Sequence, residues 1–192
     1  MRVPKENKIE YLVLNKDISL DEISSIIDKS NNIIVQADIS DNEKCKAYER
    51  NYQCLFILDN LNLVNALELD SIIKKYPQSE KLITIRGIVY DLNNEYDEAI
   101  KTFETALKIN NRYSFLHNHY GNTLCNLERY QEAVSRYTKA ISYRYNYAKA
   151  YYNRGMIKAR LKDDISAIQD FTNSIKYNPY DVESFIKRGL AY

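Results

Sequence analysis

From residue 80 onwards, apolar and polar residues alternate with a helical period. Apolar side chains recur at i, i+3, i+4 and i+7, a spacing that places them along one side of an α-helix. Short polar turns interrupt the pattern at Asn93–Asn94, Glu128–Arg129 and Lys162–Asp163. Turns this short force consecutive helices to run antiparallel. The pattern therefore predicts an all-α chain built from helical hairpins.

The glycines give the period of these hairpins. Gly87, Gly121, Gly155 and Gly189 are the four glycines of the chain, and each is 34 residues from the next. Glycine inside a helix costs about 1 kcal/mol relative to alanine, so its recurrence predicts a neighbouring helix too close for a side chain. We expect the facing contacts to come from small residues twelve positions after the first three glycines, namely Ala99, Ala133 and Ala167, with Ala106, Ala140 and Ser174 at the contact between hairpins.

The recurring order of Gly, large apolar, Ala, aromatic and Ala at this period resembles the tetratricopeptide repeat (TPR) family. The resemblance implies an α-α superhelix, a solenoid in which the hairpins stack because none buries its apolar face alone. Four positions depart from the family pattern. Asn111 and Tyr145 replace a closing proline, Lys158 stands where a large apolar residue is usual, and His117 occupies an aromatic position.

The repeats divide the chain into a solenoid over 42–192 and an N-terminal capping segment over 1–41. Full repeats are expected at 80–113, 114–147 and 148–181, with a truncated repeat or terminal helix at 182–192. Residues 46–79 fit a degenerate repeat with Gln53 in the glycine position and an inserted residue near Asn60–Asn62.

The capping segment does not follow the repeat. A capping box at Ser19–Glu22 predicts a helix over about 20–30, and a second box at Ser40–Glu43 predicts the start of the next long helix. The apolar runs Tyr11–Leu14 and Ile33–Val35 fit short strands and helical turns equally well.

The resemblance also implies where a partner binds. In TPR proteins the first helix of each hairpin lines a concave groove that holds extended peptides or helices. Asn118, Asn122 and Asn126 recur at i, i+4 and i+8, so their amides form a row on one helix face. The predicted partner-binding residues are Asn118, Asn122, Asn126, Lys149, Tyr152, Asn153, Arg160 and Lys187.

Charge suggests the character of that partner. The net charge is only +1, yet residues 112–160 carry nine Lys or Arg against Glu128 and Glu132. This excess favours an acidic protein or peptide.

Some TPR proteins bind the carboxylate ends of chaperone tails through a clamp of Lys, Asn, Asn, Lys and Arg. Asn122 and Asn153 match its two asparagines and Lys187 substitutes for Arg, but Asn118 and Glu183 occupy both lysine positions. The clamp is incomplete, so a chaperone-tail-binding co-chaperone is an alternative only.

No catalytic, metal or cofactor site is predicted. His117 and His119 point to different sides of one helix, and the motifs of nucleotide-binding and hydrolytic enzymes are missing. The three cysteines are odd in number and lack metal-ligand spacing. These features favour a non-enzymatic scaffold or adaptor without a small-molecule substrate.

Other partners are disfavoured or left open. Tyr143, Tyr145 and Tyr147 lie beside Arg144 in a pattern that suggests base stacking, but they span a turn and are better explained by packing, which disfavours nucleic acid. No segment approaches a membrane span of about 18 residues, and the unpaired cysteines favour a reducing, cytoplasmic compartment.

The last helix leaves two further hypotheses open. Phe185, Ile186 and Leu190 give it apolar residues without the polar outer side expected of a terminal cap. The chain is then either the regulatory TPR region of a larger enzyme, of phosphatase or transferase type, or a homodimer that pairs through this helix.

Overall fold

The computed structural model describes residues 40–57 and 66–191. The predicted helix over 20–30, the two short apolar runs and the inserted residue near 60–62 lie outside the described residues. Those described form nine helices: α1 (Asp41–Ile57), α2 (Ala66–Lys75), α3 (Glu80–Leu92), α4 (Tyr96–Ile109), α5 (Ser114–Asn126), α6 (Tyr130–Tyr143), α7 (Ala148–Arg160), α8 (Asp164–Tyr177) and α9 (Val182–Leu190). None of the helices within these ranges is both long and apolar enough to cross a membrane.

The chain forms two compact units, and the first ends at Val89. Its helix α1 begins at the predicted capping box, where the Glu43 amide donates to Ser40 Oγ at 3.3 Å and the Ser40 amide donates to Glu43 Oε2 at 3.0 Å. The buried carboxylate of Glu49 accepts hydrogen bonds from Ser79 Oγ at 2.7 Å and Lys81 Nζ at 2.8 Å. These bonds tie α1 to the start of α3.

The second unit, from Tyr90 onwards, contains the α5–α6 and α7–α8 hairpins. Each predicted turn places one residue in the left-handed region: Asn94, Glu128 and Lys162 have φ of 63°, 58° and 65°. The amide of the next residue then donates back to the helix, for example Arg129 N to Leu124 O at 2.8 Å. This is the hydrogen-bond pattern of a Schellman helix end, formed here without glycine.

The glycines of the second unit lie against aromatic rings. A Cβ built on Gly121 would be 2.6 Å from Tyr137 Cε1, and one on Gly155 would be 2.9 Å from Phe171 Cε1. The expected close approach is therefore confirmed, but the facing group is wrong: the ring of the second helix, and not an alanine, occupies the space. Gly189 differs, since nothing described lies within 4 Å of a Cβ there.

Two departures from the repeat pattern are compensated by polar partners. His117 is buried and donates from Nε2 to the carbonyl oxygen of Asn111 at 2.8 Å, which joins two of the unusual residues. Lys158 Nζ lies 2.9 Å from the buried carboxylate of Asp170, which also receives a bidentate pair from Arg154. A paired cation thus replaces the usual apolar side chain.

We expect Gly121→Ala to lower the free energy of unfolding by about 1–3 kcal/mol, because the added methyl group overlaps a ring that cannot move within a packed core. Gly189→Ala is the matched control, since its Cβ meets open space and alanine favours helix by about 1 kcal/mol. Urea denaturation of both variants checks this. Equal effects of the two substitutions would contradict the packing role of Gly121.

Candidate functional site

The candidate site is the first-helix face, the surface formed on α5, α7 and α9 by the eight residues predicted above. Asn153 of α7 donates from Nδ2 to Asn118 Oδ1 at 3.1 Å and to Asn122 Oδ1 at 3.0 Å. Tyr137 of α6 donates its hydroxyl hydrogen to the same Asn122 oxygen at 2.9 Å. The amide row is therefore a hydrogen-bonded cluster across three helices.

This cluster changes the part that Asn118 can take. Only 1% of Asn118 is exposed, and its oxygen is used by Asn153. The sequence predicts direct contact between Asn118 and a partner, but burial limits Asn118 to holding the Asn153 side-chain amide. Asn126, one turn beyond Asn122, is exposed and donates to Asp91 Oδ1 at 3.1 Å.

Three cations on the first-helix face have no anionic side chain paired with them among the described residues. Lys149 Nζ lies 5.0 Å from the centre of the Tyr152 ring, and the Arg160 guanidinium lies 4.8 Å from the centre of the Tyr130 ring. Neither these two nor Lys187 forms an ion pair with any residue that the structure describes. Their charges remain available to an acidic group.

An open cleft of about 570 Å³ adjoins two of these cations. Arg160 and Lys187 lie at its lining together with Met156 and Leu190, so apolar and cationic groups share one depression. Tyr152 lies nearby, with its ring centre 6.0 Å from that of Phe171. The first-helix face therefore offers hydrogen-bonding groups, positive charge and an apolar recess.

Sequence reasoning missed two residues that shape this surface. Tyr137 is one of them: its hydroxyl sets the cluster apart from the repeats that carry Phe103 or Phe171 at that position. Asp91 lies one period and one residue before Asn126, so the repeat spacing itself would have brought the pair to notice.

The two histidines are both buried on α5. Burial, and then the nearby charge of Lys149, lowers the pKa of His119 to about 3. Burial is also the main reason that the pKa of His117 is lowered, with Arg136 and Lys139 adding to the effect. In the part of the chain that the structure describes, no three His, Cys, Asp or Glu side chains could together hold a metal ion.

Comparison with known proteins agrees with the repeat pattern. The tetratricopeptide repeat family model matches residues 81–113 and 148–181. A search of curated protein sequences returned no match.

Solved structures of similar fold carry the comparison further. A pilF structure from Pseudomonas aeruginosa has a TM-score of 0.69 at 20% identity, covering 78% of this chain and 68% of its own. YrrB, described as a TPR protein with an unusual peptide-binding site, scores 0.61 at 21% identity and covers 84% and 83%. The first TPR of Spaghetti (RPAP3), bound to the HSP90 peptide SRMEEVD, scores 0.57 at 21% identity and covers 59% and 90%.

These matches, added to the helical hairpins and their glycine contacts, define the fold. The fold of the described residues is the all-α TPR solenoid, and two of its segments match the tetratricopeptide repeat model. The fold class expected from the sequence is confirmed.

We expect stability to fall as pH falls, because both buried histidines stay neutral in the folded chain and take up protons on unfolding. A histidine whose folded pKa is depressed stabilises above its unfolded value of about 6.5, and the contribution is lost between there and the folded value, about 3 for His119. For His119 alone the loss from pH 7 to pH 5.5 is on the order of 1 kcal/mol.

Urea denaturation across this range, compared between the wild type and His119→Gln, measures that contribution. The variant should lose less stability on acidification than the wild type does. An identical pH dependence in both proteins would show that His119 is not held neutral by burial.

Proposed function

We propose that this chain is a non-enzymatic protein-interaction module that binds an acidic peptide segment along its first-helix face. The proposal is supported by the TPR fold, by the peptide bound in one protein of similar structure and by the peptide-binding site named for another. Its affinity would come from the cations Lys149, Arg160 and Lys187, with the asparagine cluster holding the peptide backbone.

The observation that carries the proposal is the contrast between two sets of cations on one helix. Arg154 and Lys158 of α7 both form ion pairs with the buried carboxylate of Asp170. Lys149 and Arg160 of the same helix lie beside aromatic rings, and neither forms an ion pair with a residue that the structure describes. Arg160 lines the same cleft as Lys187, so an acidic ligand there would offset the repulsion between these two cations.

Binding of a chaperone tail is the weaker alternative. The peptide in the Spaghetti complex is SRMEEVD. Binding the terminal carboxylate of such a peptide here would require cations around Asn122 and Asn153. Here Asn118 is buried and Glu183 is exposed at the two corresponding lysine positions. A terminal carboxylate would therefore lack a cation at the first position and would be repelled by Glu183 at the second.

The experiment uses a fluorescent peptide of about a dozen residues in which Asp and Glu alternate with Ser, acetylated and amidated at its ends. Replacing Lys149, Arg160 and Lys187 together by Gln should weaken its binding by about tenfold, since each exposed ion pair contributes roughly 0.5 kcal/mol. Fluorescence anisotropy at low and high ionic strength measures the affinity, and the salt dependence should also decrease.

The matched control replaces Lys108, Lys139 and Lys176, which are exposed on the second helices of the hairpins, by Gln. This triple variant loses the same net charge but leaves the first-helix face intact. Equal weakening by the two triple variants would mean attraction to the overall charge, and would reject the proposed site.

We also propose that two copies of the chain pair through α9. Its side chains Val182, Phe185, Ile186 and Leu190 are 67%, 44%, 49% and 76% exposed, and an apolar surface of this kind marks an interaction site. Gly189 lies on the same helix with open space where Gly121 and Gly155 meet an aromatic ring. A two-fold pair would bury the same surface on both copies.

Light scattering across a concentration series tests this pairing. The wild type should dimerise, and Ile186→Glu with Leu190→Glu should give a monomer because two charges would be buried at the contact. Ile165→Glu is the control, since Ile165 of α8 is 86% exposed and lies on another helix. A monomeric wild type at all concentrations would contradict the pairing.

A further inference from the structure

The asparagine cluster uses its hydrogen-bonding atoms unequally. The oxygen of Asn122 accepts two hydrogen bonds, one from the Tyr137 hydroxyl and one from Asn153 Nδ2. An amide oxygen has two lone pairs, so this acceptor is fully occupied. What remains of the Asn122 side chain is its NH₂ group, which can only donate.

At Asn153 the other end of the side-chain amide, the oxygen, is left without a hydrogen bond. Its NH₂ group has two hydrogens, and they go to the oxygens of Asn118 and Asn122. What remains of Asn153 is its carbonyl oxygen, which can only accept. Among the described residues, neither Asn122 Nδ2 nor Asn153 Oδ1 has a partner, and neither belongs to the buried unpaired polar atoms. Both atoms are therefore accessible.

Tyr137 and Asn118 orient the side-chain amides of Asn122 and Asn153, respectively. The Tyr137 ring lies over Gly121, and that packing brings its hydroxyl to Asn122; Cys125 Sγ lies 3.3 Å from the same hydroxyl. One period later, Phe171 covers Gly155 without a hydroxyl, and Met156 stands in the position of Asn122. The hydroxyl thus occurs in the hairpin that has an amide to orient.

One accessible donor beside one accessible acceptor matches the edge of an extended peptide. The N–H and C=O of a single residue point to the same side of a strand, and in antiparallel sheets both bond to one opposing residue. A terminal carboxylate instead needs donors for both oxygens. The accessible oxygen of Asn153 has a partial negative charge and would repel the carboxylate.

We propose that Asn122 and Asn153 bind the backbone N–H and C=O of one internal residue of an extended peptide, and that Tyr137 and Asn118 are positioning residues that select this ligand over a free C-terminal carboxylate. This rests on the proposed peptide-binding function and specifies its ligand. The cations of the first-helix face then select acidic side chains, while the amide pair holds the backbone whatever its sequence.

The test measures the affinity of the acidic probe peptide described above in two forms, with an amidated C-terminus and with a free one. For the wild type we expect affinities within about twofold of each other, because the amide pair does not contact the terminus. Asn118→Leu removes the acceptor of one of the two Asn153 N–H groups and so releases one donor, while the other stays bonded to Asn122. The free form should then gain about fivefold over the amidated form, the value of one hydrogen bond.

Tyr137→Phe keeps the ring over Gly121 and removes only the hydroxyl, so Asn122 loses its orientation. Both forms should bind about fivefold more weakly, with their ratio unchanged. Thermal melting of each variant verifies folding, and Asn118→Ala replaces Asn118→Leu if the latter does not fold.

The outcomes separate this inference from the function on which it depends. Absence of binding by both forms would contradict the proposed peptide-binding function, and the inference with it. A wild type that prefers the free form by tenfold or more, or an Asn118 variant with an unchanged ratio, would overturn the inference alone. Unaltered affinity in Tyr137→Phe would remove Tyr137 from its positioning role.

Discussion

The contact between a helix glycine and the aromatic ring of the following helix is the constraint on which the second unit depends. Tyr137 lies over Gly121 and Phe171 over Gly155, at distances that leave no room for a Cβ. Because each ring occupies the space that a side chain at the glycine position would otherwise fill, the two helices of a hairpin can pack closely. Ala133 and Ala167 are fully buried in the same hairpins. The same contact delivers the Tyr137 hydroxyl to Asn122. Packing of the core and the chemistry of the exposed amides thus share one side chain.

The parts of this fold that are encoded locally could be predicted from the sequence. Helices follow from the spacing of apolar residues, and the turns at Asn94, Glu128 and Lys162 follow from breaks in that spacing. The 34-residue recurrence of glycine gave the period of the hairpins, and at Gly121 and Gly155 a neighbouring ring does come close. The proposed binding surface was predicted only as a set of residues on one helix face.

Pairing between side chains could not be predicted in the same way, because it depends on rotamers and on helices distant in sequence. Asn118 and Asn153 are separated by 35 residues, yet one accepts from the other at 3.1 Å. Lys158 departs from the repeat pattern, and that pattern does not show its ion pair with Asp170 of the next helix. Asparagine can donate and accept, so a row of amides in the sequence does not say which end of each amide remains accessible.

The central claim is that a peptide binds across the amide cluster and the unpaired cations. The most direct measurement is NMR of the asparagine side-chain amides during titration with the acidic peptide. The account predicts that the signals of Asn122 and Asn153 shift together at saturation, whereas those of Asn146 and Asn178, which lie in the turns between hairpins, stay in place. Saturable binding that shifts the turn asparagines and leaves Asn122 and Asn153 unchanged would contradict it.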